Sequence, residues 1–196
     1  MHLARLVGLA PTLTLTTERL VLRRLRADDA PTALAHEQDR RIMRWIHDPL
    51  TPGAMRDRVE AMQAPWGGDD GEWLALAIAA RSNDEPIGFA FFRVTALAND
   101  ALEIGYRLAP AVHRRGYGHE ALRELMRFLF EVGEAHRLVA SCVAENEPSW
   151  RLLKKLGMRR EGLLRAHSRL DGAWRDECVY GLLAAEWRSR ARGSSA

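Results

Sequence analysis

Ala101-Leu-Glu-Ile-Gly-Tyr-Arg-Leu108, followed after a short loop by His113-Arg-Arg-Gly-Tyr-Gly-His-Glu-Ala121, is the stretch on which the fold turns. Its first piece predicts a strand over 101–108, stopped by Pro110. Its second piece runs on into an apolar stripe of Ala121, Leu122, Leu125, Met126, Leu129 and Phe130, the period of a helix over 118–135. Between them, 109–115 is a loop. The first N–H groups of a helix have no internal partner, and the helix dipole is positive there. Gly116 and Gly118 let a ligand approach the backbone, and Arg114 and Arg115 add positive charge. Together these features describe a pyrophosphate cradle. The Walker lysine and the longer GxGxxG are absent, so neither the P-loop nor the dinucleotide fingerprint is met. A GxG alone is as often a plain turn; the strand before it, the amphipathic helix after it and the flanking arginines favour phosphate.

Working outward, residues 20–25 read as a first strand. Asp28 or Asp29 can cap a helix reaching Gln38, and a short helix over 39–46 follows. Thr51-Pro52 supplies a cap with proline at the first helical position, opening a helix to Gln63. Two strands, 73–80 and 87–94, flank the polar turn 82–86. Downstream come a buried strand over 138–143 and a helix over 148–156 with Gly157 beyond its end. Strands over 159–169 and 173–183 flank the hairpin signal Asp171-Gly172. The order β-α-α-β-β-β-α-β-α-β-β is an α+β pattern, a mixed sheet with helices packed on it, and not the alternation of a doubly wound fold. One domain over 16–187 is expected, with 1–15 as an extension and 188–196 as a flexible tail.

The 196 residues, 47% hydrophobic and 28% charged, suit one soluble globular domain. No apolar run approaches the roughly 18 residues of a membrane helix. The start meets Pro11 and a Thr-rich segment too soon for a signal peptide, so the cytoplasm is the expected compartment. Cys142 and Cys178 sit in apolar, strand-like surroundings and read as buried thiols; no metal-site spacing is present and no metal is expected. The net charge is +3, the pI is near 9.2, and lysine occurs only at Lys154 and Lys155. That balance suits a ligand carrying several phosphates. The arginines are dispersed among acidic residues and no aromatic–basic motif accompanies them, so nucleic acid is not an expected partner.

Residues 113–118 resemble the acetyl-CoA loop of the GNAT N-acetyltransferases, Gln/Arg-x-x-Gly-x-Gly/Ala, with His113 in the place of Gln or Arg. The order of elements is similar to that family's order. Thr17-Glu-Arg-Leu-Val-Leu-Arg23, Glu103-Ile-Gly-Tyr106, Glu145-Asn146, residues 149–158 and Gly172-Ala-Trp-Arg-Asp176 resemble the RimJ/RimL branch, which acetylates protein N-termini, ribosomal ones included. The resemblance spans about 16–187. It implies acetyl-CoA as co-substrate and a primary amine as acceptor, the N-terminal amine of a protein or peptide above all. A small amine (polyamine, antibiotic or amino-acid derivative) and a silent acetyl-CoA binder are the alternatives. It also suggests a homodimer.

Attack of an amine on a thioester needs an unprotonated amine, a stabilised oxyanion and a proton for the leaving thiolate. The resemblance lays the pantetheine arm along Tyr106, Arg107 and Leu108, where a backbone N–H is the expected oxyanion donor. It lays the pyrophosphate on Arg114, Arg115, Gly116, Tyr117, Gly118 and His119, and gives Asn146 a bond to the pantetheine. Ser149 is either a helix-capping serine or, as in the RimJ/RimL branch, the cofactor-side group that donates the proton. Leu153 stands where many relatives carry a tyrosine acid. For the general base, Glu103 is the first candidate; a carboxylate paired with one of the many arginines is the competing reading. His167 is the second, beside Ser168, where RimL-type enzymes carry a carboxylate; a base acting through water, or none, is also open. Trp45, Trp66, Tyr106 and Trp174 are candidate walls for the acceptor, with core packing the commoner fate of each. Asp69-Asp70-Gly-Glu72 could draw a cationic amine or be a solvated loop.

Overall fold

In the computed structural model residues 3–193 are described, with side chains through residue 190. The elements run α1 (Leu3–Leu9), β1 (Thr14–Thr16), β2 (Leu20–Arg24), α2 (Ala30–Gln38), α3 (Arg40–Met43), α4 (Pro52–Gln63), β3 (Trp73–Ala80) and β4 (Pro86–Ala96). They continue with β5 (Ala101–Leu108), α5 (Tyr117–Glu131), β6 (Arg137–Val143), α6 (Glu147–Lys155), β7 (Arg159–Leu170), β8 (Ala173–Leu183) and α7 (Ala184–Gly193). The strands form one mixed sheet of order β1-β2-β3-β4-β5-β6-β8-β7. The α+β expectation holds.

Local chemistry explains most boundaries. Thr51 caps α4, its hydroxyl accepting from the Ala54 N–H at 3.3 Å, with Pro52 next. Gly157 takes φ +94° after α6, and Asp171 and Gly172 take φ +51° and +74° in the β7–β8 hairpin, the left-handed pair that such a turn requires. At α2 the expected cap works differently. The Asp29 carboxylate accepts from the Arg26 N–H at 2.7 Å and is also gripped by the buried Arg23, so it locks the turn ahead of the helix.

Two apolar layers sandwich the sheet. On one face α5 buries Ala121, Leu122, Leu125, Met126 and Leu129 against β2, β3, β4 and β5. Each of the Leu and Met side chains contributes roughly 1.5–3 kcal/mol by leaving water. On the other face Ala33, Val59 and Met62 of α2 and α4 cover Ala75, Ala77 and Phe89.

Residues 3–16 have a place in that first layer. Leu6 is 1% exposed, Ala10, Leu13 and Leu15 are buried, and β1 pairs antiparallel with β2. Residues 3–15 of the expected extension are therefore folded onto the domain; a helix of seven residues shows too few turns for its apolar stripe to stand out in sequence. α7 carries Trp187, the last residue of the expected domain, onto Phe130, rings stacked at 5.6 Å, and runs on into the expected tail as far as Gly193. The rest of that tail, 194–196, lies outside the described residues, as do residues 1–2 of the extension.

The sheet is interrupted in one place. β5 and β6 pair in parallel only at Ala101↔Arg137, Leu102↔Leu138 and Glu103↔Val139. β5 then continues to Leu108 against β4, and β6 to Val143 against β8, without meeting each other. Past Glu103 the two strands splay, and the β5 edge facing β6 loses its ladder partner there.

Candidate active site

The splay is the centre of two cavities that meet through it. One, of about 580 Å³, opens toward α2–α4 and the β7–β8 hairpin. The other, of about 730 Å³, opens toward α3 and the starts of α5 and α6. Trp45, Ile46, Tyr106, Arg107, Asn146 and Ser149 line both and form the throat.

The larger cavity is basic. Arg41, Arg44, Arg114, Arg151 and Lys155 line it, with Asp39 holding Arg41 and Glu147 holding Arg151. At its end Gly116, φ +84°, leads into α5, and no side chain caps the start of that helix. Arg114 is also left-handed, φ +60°, so the loop turns twice within three residues. A tie across the molecule fixes this turn. Glu120 accepts from the Thr17 hydroxyl at 2.6 Å, the Arg19 N–H at 2.8 Å and Arg19 Nε at 2.7 Å. Arg19 in turn donates to the Arg115 carbonyl at 3.0 Å and lies over the Tyr117 ring at 4.4 Å. The Thr17–Arg19 motif thus holds the loop from behind. Burial alone would raise the Glu120 carboxyl, but these donors outweigh it and hold the group below its usual range.

The cradle residues named from sequence separate here. Arg114, Gly116, Tyr117, Gly118 and His119 line the basic cavity together with Tyr106 and Leu108. Arg115 does not; its carbonyl serves the Arg19 tie. Gly118 has a packing reason beyond clearance for a ligand, since a Cβ there would meet Leu152 at 3.1 Å and Leu108 at 3.3 Å. Arg107 turns its side chain into the protein. Only 5% exposed, it pairs with Glu37 between Met43 and Met62, so it can offer a ligand only its backbone. Arg41, Arg44, Arg151 and Lys155 were not singled out in the sequence, because they come from separate helices.

At the throat, Asn146 stands at the start of α6 without capping it, and Ser149 sits in the first turn. The Ser149 hydroxyl neighbours both the Tyr106 phenol and the Cys142 thiol. Burial pushes the Cys142 thiol up to about 11 and raises Tyr106, each shift partly offset by Ser149. Neutral Cys142 is no nucleophile there. Ser149 lies between the two cavities, a hydroxyl able to pass a proton.

The smaller cavity is acidic. Glu37, Glu72, Glu103 and Glu177 line it against Arg58 and Arg107. Its roof is tied down at the hairpin tip, where Asp171 pairs with Arg40 and its N–H donates to Asp48 at 2.6 Å. Glu103 adopts the paired alternative, its Oε2 accepting from Arg93 Nη2 at 2.6 Å and Nε at 2.8 Å. His167 is exposed and does not line the cavity, whereas Ser168 does. Of the aromatic walls, Trp45 and Tyr106 are in place, joined by Trp73. Trp66 is core, its indole N–H donating to the Glu72 carbonyl at 3.0 Å, and Trp174 is 64% exposed and faces neither cavity. In the 69–72 loop Glu72 binds the amides of Gly67 and Gly68 at 3.0 and 3.1 Å, while Asp69 and Asp70 lie off the cavity.

Residues 19–159 match the family model described as an acetyltransferase (GNAT) domain. The chain belongs to the GNAT acetyltransferase family. It is 30% identical over 173 residues to the uncharacterized N-acetyltransferase YnaD of Bacillus subtilis (strain 168), covering 88% of this chain and 98% of that protein. It is 27% identical over 187 residues to the [ribosomal protein uS5]-alanine N-acetyltransferase of Escherichia coli (strain K12), covering 90% and 94%. The crystal structure of a GNAT-family acetyltransferase from Bacillus anthracis matches with a TM-score of 0.76 at 25% identity, covering 89% of this chain and all of that one.

This GNAT protein is an N-acetyltransferase, and domains of its family use acetyl-CoA as co-substrate. Its basic cavity fits that molecule: an uncapped helix start with Arg44, Arg114 and Lys155 near it for the phosphates, and an unpaired strand edge for the amides of the arm. Among the described residues no group of His, Cys, Asp or Glu is arranged to hold a metal, and no helix is long and apolar enough to cross a membrane.

Proposed function

We propose that this protein transfers the acetyl group of acetyl-CoA to the N-terminal amine of a protein or peptide, by direct attack with both substrates bound. The observation that carries the reading is the throat, where a basic cavity and an acidic one share Tyr106, Asn146 and Ser149. Acetyl-CoA enters from the basic side, its pyrophosphate on residues 114 and 116–119 and its arm along the free edge of β5 and Asn146. The amine enters from the acidic side, whose carboxylates favour a cation. Holding both at one throat contributes proximity, and a β5 backbone N–H facing the splay is positioned for the developing oxyanion. Ser149 hands a proton to the departing thiolate. The Escherichia coli relative named for ribosomal protein uS5 and its alanine supports a protein N-terminus as acceptor. The same reading takes the protein as cytoplasmic and dimeric, the latter checked by its mass in solution.

The test is thiol release from acetyl-CoA against peptides beginning with Ala, Ser or Met, and against polyamines and aminoglycosides. The reading predicts release with a peptide. Release with a small amine alone would move the acceptor to that class, and tight binding without any release would make the protein a silent binder.

A further inference from the structure

The carboxylates of the acidic cavity differ in what they are already bound to. Glu37 is held by Arg107, Arg58 and His47. Glu72 closes its loop on backbone amides, and Glu103 is held by Arg93. Glu177 has a hydroxyl instead: Ser168 Oγ donates to its Oε2, and among the described residues no cation pairs with it. The nearest arginine on its own strand, Arg175, is turned to Glu145 at 3.1 Å. From β6 it is faced by Val143 and from β7 by Leu164, its register partners, with the Cys142 thiol close enough to feel its charge, and Glu103, held by Arg93, lines the same cavity.

The backbone makes a special effort to set Ser168 beside Glu177. Between the pairs Leu164↔Glu177 and Ser168↔Arg175, β7 advances four residues while β8 advances two. The extra residues form a bulge with Ala166 at φ +48°, its N–H held by Asp176 Oδ1 at 2.9 Å. Past the bulge Ser168 returns to the face of Glu177, and His167 is left outside.

We infer that Glu177 is the carboxylate that takes the proton of the acceptor ammonium, with Ser168 as its positioning residue; this rests on the acetyl-transfer reading above. The ammonium gives one proton to Glu177. The freed nitrogen lone pair forms the C–N bond at the thioester carbonyl. The oxyanion then collapses and the C–S bond breaks with its pair on sulfur. The nitrogen's second proton passes through the Ser149 hydroxyl to the thiolate, leaving an amide N–H, and Glu177 returns its proton to water.

The experiment uses the full-length Glu177→Gln protein with acetyl-CoA and an alanine-initiated peptide. At pH 7 the turnover is expected to fall about 100-fold or more, with acetyl-CoA affinity unchanged by calorimetry. The deficit should shrink as the pH passes about 8, where an α-amino group sheds its proton unaided. Ser168→Ala should lower turnover about tenfold with the same recovery, and Ser168→Thr should restore it. Turnover of Glu177→Gln within threefold of wild type, a raised KM at unchanged kcat, or a deficit constant with pH would each overturn the assignment. Wild-type turnover with an unimpaired Glu177→Gln sinks only this assignment. A wild type inert toward every peptide, polyamine and aminoglycoside sinks the acetyl-transfer reading and this one with it.

Discussion

On the basic side of the throat, the defining backbone is one continuous stretch, Tyr106 to Glu120, buttressed by a single tie from Thr17 and Arg19. On the acidic side the carboxylates arrive from α2, the loop before β3, β5 and β8; Glu72 is held within its own loop, and the others by partners on separate elements. The contrast follows from the two ligands. A pyrophosphate is met by free N–H groups and a dipole, which any helix start provides once the turn is right. An ammonium that must lose a proton needs one particular carboxylate left unpaired while its neighbours are neutralised. Sites of the first kind are local and sites of the second kind are tertiary.

The comparison can be broken most forcefully at Glu37. Glu37→Ala leaves Arg107 buried without a counter-ion, which should cost about 3–5 kcal/mol of stability, read as a lower denaturant midpoint. A loss under about 1 kcal/mol would mean that Glu37 is free for the ligand. Next in size is the throat. Ser149→Ala should lower kcat about 100-fold, equivalent to roughly 2.7 kcal/mol, with acetyl-CoA affinity unaltered; an unchanged rate removes Ser149 from the chemistry.

A smaller effect distinguishes the foundations of the two sides in their response to pH. His36, buried edge-on to Phe89 on α2, the helix that gives Glu37 to the acidic cavity, is pushed down to about 4 by burial and then by Arg107. Its folded value lies below its unfolded one, so its contribution is full above about pH 6.5 and is lost as pH falls toward 4. Melting at pH 7 and 4.5 should reveal a loss of roughly 2 kcal/mol from this group, absent in His36→Gln. On the basic side, Arg114→Glu should weaken acetyl-CoA about tenfold, a difference that added salt diminishes, while the KM of the peptide holds steady. Smallest of all, Trp174→Ala should leave stability within about 0.5 kcal/mol and both KM values within twofold, since the ring faces solvent.

The same division explains what could be read from the chain. Gly116, Thr51-Pro52, Gly157 and Asp171-Gly172 announce themselves because their backbone angles or caps are decided within four residues. So do the β5 strand and the α5 stripe. The acidic side was hidden for equally physical reasons. Glu37 and Arg107 are 70 residues apart, and only the tertiary structure makes them a pair. Glu103 was readable as a strand carboxylate, but Arg93, its partner across β4, follows from register alone. The bulge at Ala166 carries neither glycine nor proline, so no local signal foretold that Ser168, and not His167, would face the cleft. The first helix was missed because two turns are too few to display a period.

The central claim is that the two cavities bring acetyl-CoA and an amine to one throat. Incubation of the protein with acetyl-CoA and an alanine-initiated peptide, with thiol titration and mass spectrometry of the peptide on the same sample, tests it directly. The account predicts one acetyl group on the N-terminal nitrogen for each thiol released. An intact thioester beside unmodified peptide, repeated with serine- and methionine-initiated peptides, polyamines and aminoglycosides, would contradict it.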